Sequence, residues 1–164
     1  LAWSEADYAR MKPEEIHLSK LLEELKDVAS KMATSKRLIV EGVIEPNITV
    51  LGKQDKLYRA ILNLIDNAIK YTPAPGKVSL SFHKKGNRAM IYVKDTGAGI
   101  APTDLPHIFE RFYRGSKADK VFGSGLGLAI ALGIIKAHRG TIEASSKIGK
   151  GTIITITLPL AKDA

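Results

Sequence analysis

The strongest constraint on the fold is the order in which helical and extended hydrophobic patterns follow one another along the 164 residues. Residues 18–32 and 54–71 carry apolar side chains at helical spacing, which predicts two amphipathic helices. Residues 77–83 and 89–94 instead alternate apolar and polar side chains around Lys84-Lys85-Gly86-Asn87, which predicts a β-hairpin. A chain that combines helices with hairpins is expected to form a mixed sheet with helices on one face.

Shorter patterns complete the predicted order of elements. Residues 37–45 and 47–51 are rich in β-branched side chains and are separated by a proline, so they predict two strands of the sheet. Residues 126–138 predict a third helix and are followed by a strand pair at 141–145 and 152–158. Residues 101–124 have no regular period and predict a mobile loop. We therefore expect an α+β fold: a two-layer α/β sandwich whose mixed, mostly antiparallel sheet is covered on one face by three helices.

The length suits one buried core, which we expect over residues 13–160. Residues 1–12 predict the end of a preceding helix or linker, and 161–164 a short tail. The sequence contains no run of about 18 apolar residues, so we expect neither a membrane-spanning helix nor direct membrane contact. The chain opens without methionine or a signal peptide, so we expect it to be a piece of a longer protein.

Charge and cysteine content narrow the classes of function. The chain has 25 Lys and Arg against 17 Asp and Glu, a net charge of +8 that suits nucleic acids, phosphates or acidic proteins alike. Because the basic residues are dispersed and aromatic residues are few, we do not expect nucleic-acid binding. The absence of cysteine excludes disulfides, thiolate metal sites and thiol nucleophiles.

One face of the helix predicted over 54–71 is suited to an ion site. At about 100° per residue, Asn63, Asn67, Lys70 and Tyr71 share this face. The opposite, buried side is predicted to contain Leu57, Ile61, Leu64, Ile65 and Ala68. Asparagine is a mediocre helix former, so a pair at i and i+4 indicates a use for the carbonyl oxygens. Mg²⁺ with a nucleotide triphosphate is such a use, and solvated surface residues are the alternative.

Two glycine-rich segments suit the rest of a nucleotide. Asp95-Thr96-Gly97-Ala98-Gly99-Ile100 follows a predicted strand, where a carboxylate can accept hydrogen bonds from an adenine amino group. Gly123-Ser124-Gly125-Leu126-Gly127-Leu128 opens the third helix, whose free N–H groups and positive dipole end suit phosphates. The chain has neither a Walker loop nor a dinucleotide-binding fingerprint. Ordinary turn chemistry and helix capping remain the alternatives for these segments.

Four segments in order resemble the boxes of two-component sensor histidine kinases. They are 63–72 (NLIDNAIKYT), 95–100 (DTGAGI), 109–114 (FERFYR) and 123–128 (GSGLGL), with 149–152 (GKGT) matching a weaker fifth box. The likeness extends over about 13–158. It implies a catalytic domain with the Bergerat ATP-binding fold, which donates the γ-phosphoryl group of ATP to a histidine.

The resemblance also implies roles for individual residues. Asn67 would bind Mg²⁺ with Asn63 beside it, Lys70 and Tyr71 would lie near phosphates and ribose, and Asp95 would bind adenine. Asn63, Asn67 and Lys70 are the expected catalytic residues. The expected nucleotide-binding residues are Asn63, Asn67, Lys70, Tyr71, Asp95, Gly97, Gly99, Ile100, Phe112, Arg114, Gly123, Ser124, Gly125, Leu126, Gly127, Leu128 and Thr152, the last assisting Asp95 through water.

Residues 111–123 would form an ATP lid with Phe109 and Phe112 as apolar anchors. Arg114 and Lys117 could reach the γ-phosphate, but the loop also carries Arg111 and Lys120, and the sequence offers no basis for choosing among these four cations.

The phosphoacceptor motif of the family is absent, because none of the four histidines, His17, His83, His107 and His138, has its context. The acceptor is therefore expected on an upstream dimerisation hairpin, of which residues 1–12 would be the end. The implied partners are ATP, the kinase's own dimerisation and phosphoacceptor domain, and a response regulator receiver domain. We expect a monomeric fragment of a homodimeric parent, with this domain cytoplasmic and the parent anchored in the bacterial inner membrane.

Three other kinds of protein are alternatives to a histidine kinase. Clamp-type ATPases that resemble DNA gyrase use a helix glutamate as base four residues before the magnesium asparagine, where this chain has Asn63. An amide cannot accept a proton from water, so slow hydrolysis is expected. Anti-sigma-factor serine kinases lack the box at 109–114. A non-enzymatic nucleotide sensor remains, which an assay of the full-length parent would discriminate.

Overall fold

The computed structural model describes residues 10–111, 113 and 127–163. Within them the chain forms three α-helices, seven strands and two short 3-10 turns. The elements are β1 (Glu14–His17), α1 (Leu18–Thr34), β2 (Leu38–Glu41), β3 (Thr49–Gly52), α2 (Gln54–Tyr71), β4 (Gly76–Lys85), β5 (Arg88–Asp95), a 3-10 turn (Leu105–His107), α3 (Gly127–Ala137), β6 (Thr141–Lys147), β7 (Gly151–Pro159) and a second 3-10 turn (Ala161–Asp163).

Five of the described strands form the main sheet, in the order β2-β4-β5-β7-β6. The β2–β4 pair is parallel and the other three pairs are antiparallel. The hairpin β4–β5 turns at Gly86, whose φ of +60° is accessible to glycine at little cost. The mixed, mostly antiparallel sheet expected from the sequence is confirmed.

The expectation that 37–45 and 47–51 form strands of the same sheet is wrong. β2 joins the main sheet, whereas β3 pairs with β1 in a separate two-stranded sheet. Gly42 approaches β4 so closely that a Cβ there would lie 1.9 Å from the Leu80 carbonyl oxygen. The chain then passes Pro46 and Asn47, whose φ is +64°, and turns away from the main sheet. The hydrophobic pattern identifies a strand but not its partner.

The helices supply one layer of the core and the sheet the other. All five α2 residues predicted to be buried are 5% exposed or less. They face alternate residues of β4, β5 and β7, among them Leu80, Ile91 and Ile156, which are also buried. Burying one such aliphatic side chain stabilises the fold by about 1.5–3 kcal/mol. The two-layer α/β sandwich is thereby confirmed.

The far face of the sheet carries small, polar and basic side chains, including Ser79, Ser81 and Lys94. Among the described helices, none combines the length and apolar character needed to cross a bilayer. Residues 1–9, and positions 112 and 114–124 of the loop expected over 101–124, lie outside the described part of the chain.

Candidate functional site

The carboxyl end of α2 is fixed by the side chain of Lys36, which sequence reasoning did not single out, and by that of Thr72, which was expected to stop the helix. The Lys36 Nζ donates to the carbonyl oxygens of Ile69 at 2.6 Å and Lys70 at 3.1 Å, which lack partners within the helix. Thr72 is buried, and its hydroxyl donates to the Ala68 carbonyl at 2.7 Å. The following proline disfavours helical geometry at Thr72, so α2 ends there.

The polar face of α2 carries the four residues predicted from its periodicity. Asn63 and Asn67 are partly buried, whereas Lys70 and Tyr71 are exposed. The Lys70 Nζ forms an ion pair with Asp66 at 3.0 Å, and both side chains are about 40% exposed. A helical surface pair of this kind contributes only about 0.3–0.5 kcal/mol. Lys70 can therefore exchange Asp66 for a phosphate at small cost.

Asp95 is the last residue of β5 and lies between Val78 of β4 and Thr152 of β7. Its side chain is buried, and Oδ1 accepts a hydrogen bond from the Gly97 N–H at 2.8 Å. Burial raises the pKa of the Asp95 carboxyl, while the backbone N–H groups of Gly97 and Thr152 lower it. The carboxylate is thus a fixed acceptor at the carboxyl end of a strand.

The glycine box after β5 is wedged between α2 and the β6–β7 turn. A Cβ at Gly97 would lie 2.5 Å from the Tyr71 carbonyl oxygen. Gly99 has a φ of +79°, and a Cβ there would lie 2.2 Å from the Lys147 carbonyl oxygen. The Gly149 N–H donates to the Ala98 carbonyl at 2.7 Å. Close backbone approach, rather than turn chemistry alone, therefore explains these two glycines.

Ser146 of β6 joins the box to β7 and was missed by sequence reasoning. Its hydroxyl accepts from the Ile100 N–H at 2.8 Å and donates to the Gly151 carbonyl at 2.9 Å. It also lies 2.8 Å from the Thr152 hydroxyl, which donates to it because the one Ser146 proton goes to Gly151. A serine beside the GKGT segment carries no distinguishing sequence signal, because its partners come from 46 residues earlier and from across the hairpin.

The start of α3 faces the middle of α2. A Cβ built at Gly127, the first residue of α3, would lie 3.9 Å from the Asn63 Cβ. Leu128 packs against the core. Helix N-termini present free N–H groups and a positive dipole end, which suit an anion beside the two asparagines. The predicted residues Phe112, Arg114, Gly123, Ser124, Gly125 and Leu126 lie outside the described residues.

A small polar cluster joins Tyr113 of the predicted lid to the residues just before the lid. The Tyr113 hydroxyl donates to Asp104, and this bond raises the pKa of the tyrosine. His107 lies 3.0 Å from the Glu110 carboxylate and packs beside the Tyr113 ring. These contacts link Tyr113, at the start of the predicted lid, to residues 104–110.

The site has two ends that α2 separates. Asp95, Gly97 and Thr152 lie near Tyr71 at the end of the helix, whereas Asn63 lies beside Gly127 eight residues earlier, about 12 Å along the axis. Among the described residues, no cluster of three or more His, Asp or Glu side chains is arranged to hold a metal. The two neutral amides fit the manner in which Mg²⁺ is bound, with one or two protein oxygens beside phosphate oxygens and water.

Comparisons with known proteins show which proteins the chain is similar to. The model of the family described as histidine kinase-, DNA gyrase B-, and HSP90-like ATPase matches residues 52–162. The sensor histidine kinase RppB of Synechocystis sp. is 49% identical over 111 residues, which are 66% of this chain and 24% of RppB. The chain thus spans about a quarter of that relative.

Two solved structures are similar over most of the chain. The mycobacterial sensor histidine kinase MprB has a TM-score of 0.80 at 28% identity, covering 90% of this chain and 99% of its own. Full-length ShkA in complex with AMPPNP has a TM-score of 0.82 at 29% identity, covering 98% of this chain and 34% of its own.

Proposed function

Because the chain belongs to the histidine kinase-, DNA gyrase B-, and HSP90-like ATPase family, we propose that it binds Mg·ATP and donates the γ-phosphoryl group to a histidine outside this chain. The fold expected for such a domain, the Bergerat fold, is confirmed by the likeness to MprB. One observation carries the proposal. A buried carboxylate at the end of β5 and an asparagine facing the start of α3 lie at the two ends of the polar face of α2.

The base end is formed by Asp95 and the glycine box. One carboxylate oxygen accepts the Gly97 N–H, and a carboxylate has about four acceptor sites, so capacity remains for an exocyclic amino group. Because Asp95 is 9% exposed, water competes weakly for that capacity. Gly97 and Gly99 keep side chains away from the approach of a planar base.

The phosphate end is formed by Asn63, Asn67, Lys70 and the start of α3. The amide oxygen of Asn67 would hold Mg²⁺ with Asn63 beside it. When bound, this ion neutralises charge on the phosphate oxygens. Lys70 would contribute a second positive charge after leaving Asp66. Backbone N–H groups at the start of α3 would orient the phosphates.

The chemistry requires alignment more than covalent participation by the protein. The bond between the γ-phosphorus and the oxygen of ADP breaks as a bond to an imidazole nitrogen forms, and the imidazole loses its proton. The acceptor would belong to a dimerisation domain outside this chain, and a response regulator receiver domain would accept the group next. Since Asn63 cannot act as a base toward water, the chain alone should turn over ATP slowly.

Calorimetric titration with a non-hydrolysable ATP analogue tests nucleotide binding. We expect saturable binding that requires Mg²⁺ and is lost in Asn67→Ala and Asp95→Asn. The matched controls are Asn87→Ala in the exposed β4–β5 turn and Asp27→Asn on the exposed face of α1. Both control variants should bind the ATP analogue as the wild type does. Binding that ignores both site substitutions would mean that the boxes serve only as turns and caps.

We also propose that the isolated chain is a monomer, because its parent would dimerise through the missing hairpin. Light scattering at micromolar concentration should give a single-chain mass of 17.8 kDa. A dimeric mass would move the dimer interface into this domain. Because ATP is its substrate, the domain would lie on the cytoplasmic side of an inner membrane that holds the parent.

A further inference from the structure

His138 joins the carboxyl end of α3 to the amino end of α2. It follows the last residue of α3 and is 5% exposed. Its Nδ1 lies 2.7 Å from the Ile134 carbonyl oxygen, and its Nε2 lies 3.1 Å from the backbone nitrogen of Lys53. A carbonyl only accepts, so Nδ1 carries the proton and Nε2 accepts from the Lys53 N–H. One neutral imidazole therefore connects the two helices that form the phosphate end of the site.

The strand before α2 is shaped around this ring. A Cβ at Gly52 would lie 2.2 Å from Cδ2 and 2.6 Å from Nε2 of His138. The backbone of Gly52 lies outside the left-handed region, so its conformation alone does not require glycine. What glycine provides at this position is room for the imidazole. The close approach of Gly52 thus indicates, independently of the hydrogen bond, that the imidazole has a fixed position at the amino end of α2.

Two of the contacts between α2 and α3 lie at opposite ends of α3. His138 meets Lys53 at one end, and Gly127 meets Asn63 at the other. The helices are therefore antiparallel, and about 15 Å of axis separates the histidine from the phosphate end. A slide of α3 by one residue would move Gly127 by about 1.5 Å relative to Asn63. Binding sites need placement to within about 0.5 Å, so such a slide would disrupt phosphate contacts.

We propose that His138 is a positioning residue for the nucleotide site, which sets the register of α3 along α2 through its bond to the Lys53 N–H. The inference rests on the proposed binding of Mg·ATP. Without the bond, α3 would occupy several registers, and nucleotide affinity would fall in proportion to the fraction in the competent one. The histidine touches neither phosphate nor base.

Two substitutions separate this role from simple capping of α3. His138→Gln can keep an acceptor near the Nε2 position, whereas His138→Asn keeps only a donor near Nδ1. We expect His138→Gln to bind Mg²⁺ with the ATP analogue within about twofold of wild type. His138→Asn should bind at least about fivefold more weakly, the factor that one net hydrogen bond is worth. Titrations are run at a temperature at which circular dichroism shows every variant folded.

The opposite order, or equal losses in both variants, would overturn the inference while leaving nucleotide binding established by the wild-type titration. A wild-type chain that binds no nucleotide would refute the proposed function itself. The Gly127 amide signal in nuclear magnetic resonance reports the register without nucleotide. It should shift in His138→Asn and stay near its wild-type position in His138→Gln, and an unmoved signal in both would overturn the inference.

A double-substitution cycle provides the final check. Gly52→Ala should displace the ring and weaken binding by a factor similar to that of His138→Asn. The double variant should lose little more nucleotide affinity than either single variant, because both substitutions remove the same contact. Gly133→Ala, on the exposed side of α3 with open space around it, is the matched glycine control and should bind as wild type. Fully additive losses would show that Gly52 and His138 act separately, contrary to the inference.

Discussion

Gly97 is the position at which one added methyl group should disturb the site most directly. Its Cβ would lie 2.5 Å from the Tyr71 carbonyl oxygen and 2.9 Å from Asp95 Oδ1. Since ordinary contact begins at 3.4 Å, the box would have to move away from α2 by about 0.9 Å. Overpacking of this kind costs about 1–3 kcal/mol. For a chain of this size, that lowers Tm by about 2–12 °C.

The same movement displaces the carboxylate that would bind adenine. Hydrogen bonds to charged groups contribute about 1.5–3 kcal/mol, so Gly97→Ala should weaken binding of the ATP analogue about tenfold or more. Thermal unfolding and calorimetry measure the two effects, and Gly133→Ala serves as the control that should lose neither. Wild-type Tm and affinity in Gly97→Ala would refute the close approach of the box to α2.

Three further predictions concern residues that hold the site in place. Burial lowers the pKa of His138 below its ordinary 6.5. As the pH falls below about 6.5, the unfolded chain gains a proton first, so the folded chain should lose stability. This loss of stability should level off below the folded-state pKa. Urea unfolding between pH 5 and 8 should show this slope reduced in His138→Gln, and equal slopes would contradict it. Lys36→Met should lower the free energy of unfolding by about 1 kcal/mol, because the Lys70 carbonyl loses the Lys36 donor and the Ile69 carbonyl keeps only the long bond from the Thr72 N–H. Lys36→Arg should restore most of the loss in the same assay. Ser146→Ala should cost about 1–2 kcal/mol by leaving the Ile100 N–H and Gly151 carbonyl without the hydroxyl, compared with Ser79→Ala on the far face, and equal costs would argue against the network.

Local chemistry made the long elements predictable from the sequence. The helix predicted over 54–71 has the same first and last residues as α2, because its apolar period is regular and Thr72-Pro73 stops it. The predicted hairpin is β4–β5, with each strand one to two residues longer at its ends. The third helix, predicted over 126–138, is Gly127–Ala137 in the described residues.

What depended on packing between distant segments was not predictable. β1 was missed because it is four residues long and buries only Ile16. The predicted placement of β3 in the main sheet was wrong, because periodicity specifies which face of a strand is buried and not which strand lies beside it. The roles of Lys36, Ser146 and His138 arise from partners 33, 46 and 85 residues away. The roles assigned to individual site residues stay predictions, although α2 does bring Asn63 to the start of α3.

Phosphorylation of the full-length parent with ATP labelled at the γ-phosphate tests the central claim most directly. We predict acid-labile label on a histidine outside these 164 residues, dependent on Mg²⁺ and absent in the Asp95→Asn protein. A protein that binds Mg·ATP but acquires no label, or one that rapidly releases free phosphate without forming a phosphohistidine, would contradict the proposed phosphoryl transfer.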